Sequence, residues 1–235
     1  ACGYVAKGRM EEPLQIVSVM NQFFNNDAVS TDSSFSGKRA LVTAGPTVEV
    51  IDPVRYVTNR SSGKMGFAIA EALREKGAEV TLVTGPTQLT DPKGINVIHV
   101  QSAEDMFNAV KERYNAQDII FKAAAVSDYT PSEVLDHKMK KREGDLSVTF
   151  KRTTDILKYL GDNKKHQYLV GFAAETQNIE AYAQDKLARK NADVIISNNV
   201  GDQSIGFSSD DNELTMHFKN KDMVNIKTVS YTHLT

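Results

Sequence analysis

The chain holds 235 residues, with 28 Lys and Arg against 30 Asp and Glu, a formal charge of −2 and an isoelectric point near 6.3. That balance argues against a general nucleic-acid or membrane-surface binder, since both need a basic excess, so any anionic ligand must meet a local cluster of cations. A single cysteine, Cys2, excludes an internal disulfide and a cysteine zinc site, which fits a reducing cytoplasm, and no run of about 18 apolar residues is present to span a bilayer.

The length suits one α/β domain with flanking segments. Residues 1–24 read as a short N-terminal segment, and 25–37, rich in Ser, Asn and Asp, as a linker ahead of a main domain over 38–235. Arg39–Thr43 reads as a buried strand. Gly66–Lys76 reads as a helix with apolar positions at Phe67, Ile69, Ala70 and Leu73. Roughly twenty residues lie between them, where a strand-to-helix connection usually takes about 2 to 6, so this opening loop carries a function or is an elaborate set of turns. Gly45 and Gly63 permit close backbone approach. Ser61 and Ser62 stand just ahead of the helix, with Asn59, Arg60 and Lys64 beside them. Amides at a helix N-terminus favour phosphate or carboxylate.

Further strands are expected at Ala78–Gly85, Ile95–Val100, Asp118–Val126, Tyr168–Thr176 and Ala192–Asn198, with helices opened by Ser102 and spanning Ile179–Lys190. Asp105, three residues after Ser102, makes a variant capping box. The alternation predicts an α/β fold, a Rossmann-like and mainly parallel sheet flanked by helices. Residues 146–151, 213–219 and 223–229 alternate as antiparallel strands do, and are expected to form an additional small flap or dimerisation sheet. Ligands of open α/β sheets sit at the carboxyl ends of strands. The polar segments there are the opening loop, Ser127–Tyr129, Ala174–Thr176 and Asn198–Asn199.

Several short motifs fail on inspection. No G-x-G-x-x-G is present, and Gly63-Lys64 lacks the remaining residues of a P-loop. Tyr182 and Lys186 have the spacing of a short-chain reductase, and Asn198-Asn199-Val200-Gly201 resembles its asparagine turn. The two occur in the wrong order, however, and two residues one turn apart on a helix explain the pair. His99, His137, His166, His217 and His233 are scattered, as surface or structural residues are. The run Lys138–Arg142 is a solvated face or a polyphosphate contact. Lys186 and Lys190 project from one helix face toward solvent or an anion.

Taken together, AGPTVEVIDPVRYVTNRSSGKMG, AAAVSDY, KMKK, GFAAET and ADVIISNN resemble phosphopantothenoylcysteine synthetase of coenzyme A biosynthesis, over about residues 38–229. The resemblance implies a ligase that joins 4′-phosphopantothenate to L-cysteine. CTP activates the carboxylate as an acyl-cytidylate with release of pyrophosphate, and cysteine then displaces CMP. It implies that Asn59 donates to the acyl-cytidylate and that Ser61, Ser62 and Gly63 hold phosphopantothenate, with Arg55 as a contact across subunits. Lys138 is implied as a catalytic nucleotide contact. Gly45, Lys122, Ala123, Ala124, Asp128, Thr154, Asp155, Ile156, Leu157, Phe172, Lys186 and Lys190 fall at nucleotide positions. Asp128 is implied to help hold Mg²⁺, chiefly bound by phosphates. A cytoplasmic homodimer with a shared site is implied, without nucleic-acid or membrane partners.

Residues 1–13 resemble the end of a flavin-dependent decarboxylase, with Cys2 at its catalytic cysteine, so 1–24 reads as a remnant of that domain. Neither decarboxylation nor a bound flavin mononucleotide is expected of this chain. Its last residues, YTHLT, depart from the C-terminal helix of the family. An NADP-dependent short-chain reductase and a non-catalytic nucleotide-binding module remain as alternatives.

Overall fold

A computed structural model of the chain describes residues 11–24, 35–141, 145–175, 179–199, 213–219 and 221–227. Strand β1 (Arg39–Ala44) is buried from Ala40 onward on both faces, the signature of a central parallel strand. It lies between β4 (Glu79–Thr84) and β6 (Ile119–Lys122), both parallel to it, with Leu41 level with Thr81 and Ile120. β5 (Asn96–His99) flanks β4, while β9 (Tyr168–Glu175) and β10 (Val194–Asn199) continue beyond β6. The chain therefore winds outward from β1 to β5, then crosses back to β6 and winds the other way.

β11 (Glu213–Phe218) and β12 (Val224–Lys227) add to the β10 edge antiparallel, completing eight strands. Sequence periodicity identified these two as strands but placed them in a separate flap. They join the main sheet because Leu214, Met216 and Phe218 are buried in the same core as β10. The small antiparallel sheets are instead β2 (Val48–Val50) with β3 (Tyr56–Thr58), and β7 (Tyr129–Pro131) with β8 (Phe150–Arg152).

Alternate residues of β1 divide two cores. Ala40, Val42 and Ala44 share one core with residues of α1 (Glu11–Phe24) and α2 (Lys64–Glu75), while Leu41 shares the other with residues of α3 (Ala103–Arg113), α4 (Ile156–Asn163) and α5 (Ile179–Lys190). Ile16, Val17 and Met20 of α1 are fully buried, each worth about 1.5–3 kcal/mol. The segment before residue 25 thus contributes to the core of the main domain. Phe35 is also buried, and its amide donates to Lys76 O at 2.7 Å. α2 begins two residues earlier than its apolar pattern suggests, because Gly63 turns the chain at φ 78°. The Ser102–Asp105 capping box forms in both directions, at 3.1 and 2.9 Å. Among the described residues, no helix is long and apolar enough to cross a membrane.

Candidate functional site

β1 and β6 are neighbours whose connections leave in opposite directions, which opens a crevice at their carboxyl ends. The opening loop fills it. Thr47 N donates to Ala125 O at 3.3 Å, Ala125 N to Gly45 O at 2.9 Å, and Ser127 N to Thr47 Oγ1 at 3.0 Å. Asn59 Nδ2 donates to the carbonyls of Ala125 and Val126 at 3.3 and 3.2 Å. Glu49, buried on β2, accepts from Ala103 N at the start of α3, 2.9 Å away. These bonds make the loop a fixed platform.

Gly45 and Gly63 have φ of 71° and 78°, and a Cβ on Gly63 would come within 3.3 Å of Gly45 Cα. A Cβ on Gly66 would lie 2.5 Å from Ala44 Cβ. These three residues fill the glycine roles of a dinucleotide turn: a tight turn after the strand, close approach, and close helix packing. Residues 46–62, inserted between the first two, hide the pattern from a motif search. The same insertion separates Gly45 from Gly63, so the short glycine turn of a reductase is missing and a reductase is not favoured. Gly63-Lys64-Met65-Gly66 was the detectable signal. The N-cap residue of α2, Gly63, makes no side-chain cap bond, and the first turn holds no acidic residue. Ser61 Oγ accepts from Gly63 N and Ser62 Oγ from Lys64 N, at 3.3 and 3.4 Å. The helix end is electropositive beside two serines, as an anion site requires.

The basic run is tied to this platform by a residue that sequence reading overlooked. Asp52 is 1% exposed. Its Oδ1 accepts from the amides of Val54 and Arg55 at 2.8 and 2.9 Å, and its Oδ2 from Met139 N at 3.1 Å. Burial raises its carboxyl, but those amides and the Arg55 guanidinium outweigh burial and hold it below the usual carboxylate range. Arg55 Nη2 donates to Met139 O at 2.7 Å, so this predicted substrate or subunit contact is engaged within its own chain. Exposed Lys138 is thereby placed next to a fixed anchor.

Beside the crevice lies a cleft of about 290 Å³ between α4 and α5. Lys122 and Asp128 line it from the end of β6 and beyond. Thr154, Asp155, Ile156 and Leu157 line it from the start of α4, Phe172 from β9, and Lys186 and Lys190 from α5. Nine residues named from the resemblance thus line one cavity. Gly45, Ala123, Ala124 and Lys138 are not among its walls. Ala123 N and Ala124 N instead donate to Thr43 O and Thr43 Oγ1, each at 3.2 Å. Tyr182, set aside with the reductase motif, lines the cleft and is 50% exposed, alongside Asp185 and Arg189. Its position one turn before Lys186 was the available signal.

Lys190 pairs with Asp155, which also caps α4 by accepting from Lys158 N at 2.9 Å. Burial raises the Asp155 carboxyl, yet the bonds from Lys190 and Lys158 N hold it below its ordinary value. Lys186 Nζ donates to Phe172 O at 3.4 Å and Lys122 Nζ to Ala124 O at 3.1 Å. Burial, then the charge of Lys186, pushes the Lys122 amine down to about 8. Among the described residues no group of three metal-ligating side chains converges. Cys2, Arg142, Thr176, Val200, Gly201 and His233, and the side chains of residues 174, 175, 198 and 199, lie outside the described part.

The family model for the DNA/pantothenate metabolism flavoprotein C-terminal domain matches residues 35–234. The coenzyme A biosynthesis bifunctional protein CoaBC of Bacillus subtilis is 54% identical over 220 residues, covering 93% of this chain and 53% of that protein. The chain spans about half the length of the curated relatives it matches. The crystal structure of the C-terminal domain of CoaBC has a TM-score of 0.70 at 46% identity, over 81% of this chain and 86% of the other. The DNA/pantothenate metabolism flavoprotein from Streptococcus pneumoniae has a TM-score of 0.71 at 25% identity, over 82% and 93%. The resemblance read from the motifs leads to these same proteins, and the chain belongs to the DNA/pantothenate metabolism flavoprotein C-terminal domain family.

Proposed function

We propose that the chain is a cytoplasmic phosphopantothenate–cysteine ligase of coenzyme A biosynthesis that uses CTP. The observation that carries this reading is the pairing of a Gly63-capped helix N-terminus without acidic residues, at the sheet's switch point, with an adjoining cleft walled by Lys122, Lys186 and Lys190. One holds an anionic acid and the other a triphosphate, which are the two substrates such an activation brings together. Identity to the C-terminal domain of CoaBC supports it.

A carboxylate is a poor electrophile. Its oxygen attacks the α-phosphorus of CTP and pyrophosphate leaves, giving an acyl-cytidylate; the cysteine amine then attacks the acyl carbon, and CMP leaves with that oxygen. Lys186, Lys190 and Lys138 offset the charge that builds on phosphate. Ser61, Ser62 and Gly63 hold phosphopantothenate at the start of α2. With its donors committed to Ala125 and Val126, Asn59 presents Oδ1 as an acceptor for the incoming amine, rather than donating to the intermediate. Mg²⁺ neutralises the triphosphate when bound. Asp128, an exposed carboxylate lining the cleft, would help hold the ion, with the phosphates supplying most ligands.

Two copies of the chain complete the site. Val54 and Tyr56 by β3, and Tyr129, Val134, Leu146 and Phe150 around β7 and β8, are exposed apolar residues on hairpins that touch through β2 and β7. A second copy buries that surface.

The purified chain with 4′-phosphopantothenate, CTP, Mg²⁺ and L-cysteine should release pyrophosphate and CMP in equal amounts. Absence of pyrophosphate with all substrates present contradicts the assignment.

A further inference from the structure

Gly45 and Gly63 bracket the inserted hairpin, and both hold the left-handed backbone, at φ 71° and 78°. Glycine adopts negative φ about as readily, so packing must select this form. Outside the chain neighbours of each glycine, the atom nearest to a Cβ built on either one is the same, Thr87 Cγ2, at 2.9 Å for Gly45 and 2.8 Å for Gly63. One methyl therefore lies against both glycines, where side chains of their own would stand. Thr87 is half-buried in the connection after β4, and its Oγ1 accepts from Leu89 N at 3.3 Å. That bond and the branch at Cβ fix the rotamer that aims the methyl at the two glycines.

We propose that Thr87 is a positioning residue for the anionic substrate: its methyl braces Gly45 and Gly63, and so holds the start of α2, with Ser61 and Ser62, in the form that receives the anion. This rests on reading the start of α2 as the phosphopantothenate site. Thr87 acts through the glycines and needs no contact with substrate. Gly63 is the N-cap of α2 and its amide donates to Ser61 Oγ at 3.3 Å, so a change in its φ turns the serine and the first amides of the helix together. Gly45 is held from another side, where its carbonyl accepts from Ala125 N at 2.9 Å. Neither glycine nor Thr87 is among the walls of the lysine cleft, so the brace serves one substrate and spares the other.

Two variants separate the methyl from the hydroxyl: Thr87→Ser removes the methyl and keeps the hydroxyl, and Thr87→Val does the reverse. Steady-state ligation kinetics are measured with 4′-phosphopantothenate and CTP varied in turn, beside urea unfolding of each protein. The loss of one packed methyl should raise KM for 4′-phosphopantothenate about three- to tenfold in Thr87→Ser, with kcat and KM for CTP within about twofold of wild type. Thr87→Val should stay within about twofold of wild type in all three. No change in Thr87→Ser, a larger loss in Thr87→Val, or a fall in kcat that tracks lost stability overturns the inference. A rise confined to KM for CTP in Thr87→Ser leaves the brace standing and overturns the placing of phosphopantothenate at α2. Failure of the wild-type chain to ligate overturns both.

Discussion

The carboxylate of Asp52 accepts a hydrogen bond from the backbone amide of Met139, 3.1 Å away and 87 residues later in the chain. Through it, the hairpin turn of the opening loop sets the position of the segment that carries Lys138. Asp52→Asn keeps the shape but weakens acceptance from three amides, freeing Lys138 to wander.

A displacement of about 1 Å near reacting groups is worth up to about a hundredfold, so kcat should fall about ten- to a hundredfold in Asp52→Asn. The double variant with Lys138→Ala should be little worse than Lys138→Ala alone, because the two residues act as one unit. Steady-state kinetics on the four proteins check this. Full additivity of the two losses refutes the coupling.

Lys122 makes a stability prediction of opposite sign. Burial holds its amine at about 8 when folded, against an ordinary value of 10.5. The unfolded chain therefore binds more protons between those values, and wild-type stability gains from rising pH there. Below about 8 the full cost of the buried charge is present. Without nucleotide, Lys122→Met should be more stable than wild type by about 1–3 kcal/mol at pH 7, with the gain shrinking as pH rises from 8 toward 10. Urea unfolding at pH 7 and 9.5 measures it; a variant less stable at pH 7 contradicts the account.

The close approach of β4 to the opening loop gives a third prediction. A Cβ at Gly85 would lie 1.7 Å from the Pro46 carbonyl oxygen, which forces backbone to move. Gly85→Ala should lose about 3 kcal/mol or more in urea unfolding. Unchanged stability means that the loop does not sit on β4 as described.

What the sequence reveals and conceals here follows from the range of each interaction. Apolar runs bounded by turns located β1, β4, β5, β9 and β10, and local capping located α3; α5 has the bounds its pattern indicated. β6 is shorter than its apolar run suggests, because beyond Lys122 the backbone bonds to Thr43 and Gly45 of the neighbouring strand end instead. α4 has eight residues, too few to stand out by periodicity. β11 was legible as a strand, but alternation names no partner. In the site, the four-residue spacing of Lys186 and Lys190 correctly placed both on one wall. Asp52 was invisible because what it holds is 87 residues away. The glycine roles of Gly45, Gly63 and Gly66 were concealed by the inserted hairpin.

The central claim, activation of a carboxylate by the nucleotide, is tested most directly by following the carboxylate's own oxygen. 4′-Phosphopantothenate labelled with oxygen-18 in its carboxylate is turned over with CTP, Mg²⁺ and L-cysteine, and the nucleotide product is analysed by mass spectrometry. An acyl-cytidylate carries one labelled oxygen onto the α-phosphorus, so the CMP should gain one oxygen-18 per turnover. Unlabelled CMP, with the label in pyrophosphate or orthophosphate, contradicts it.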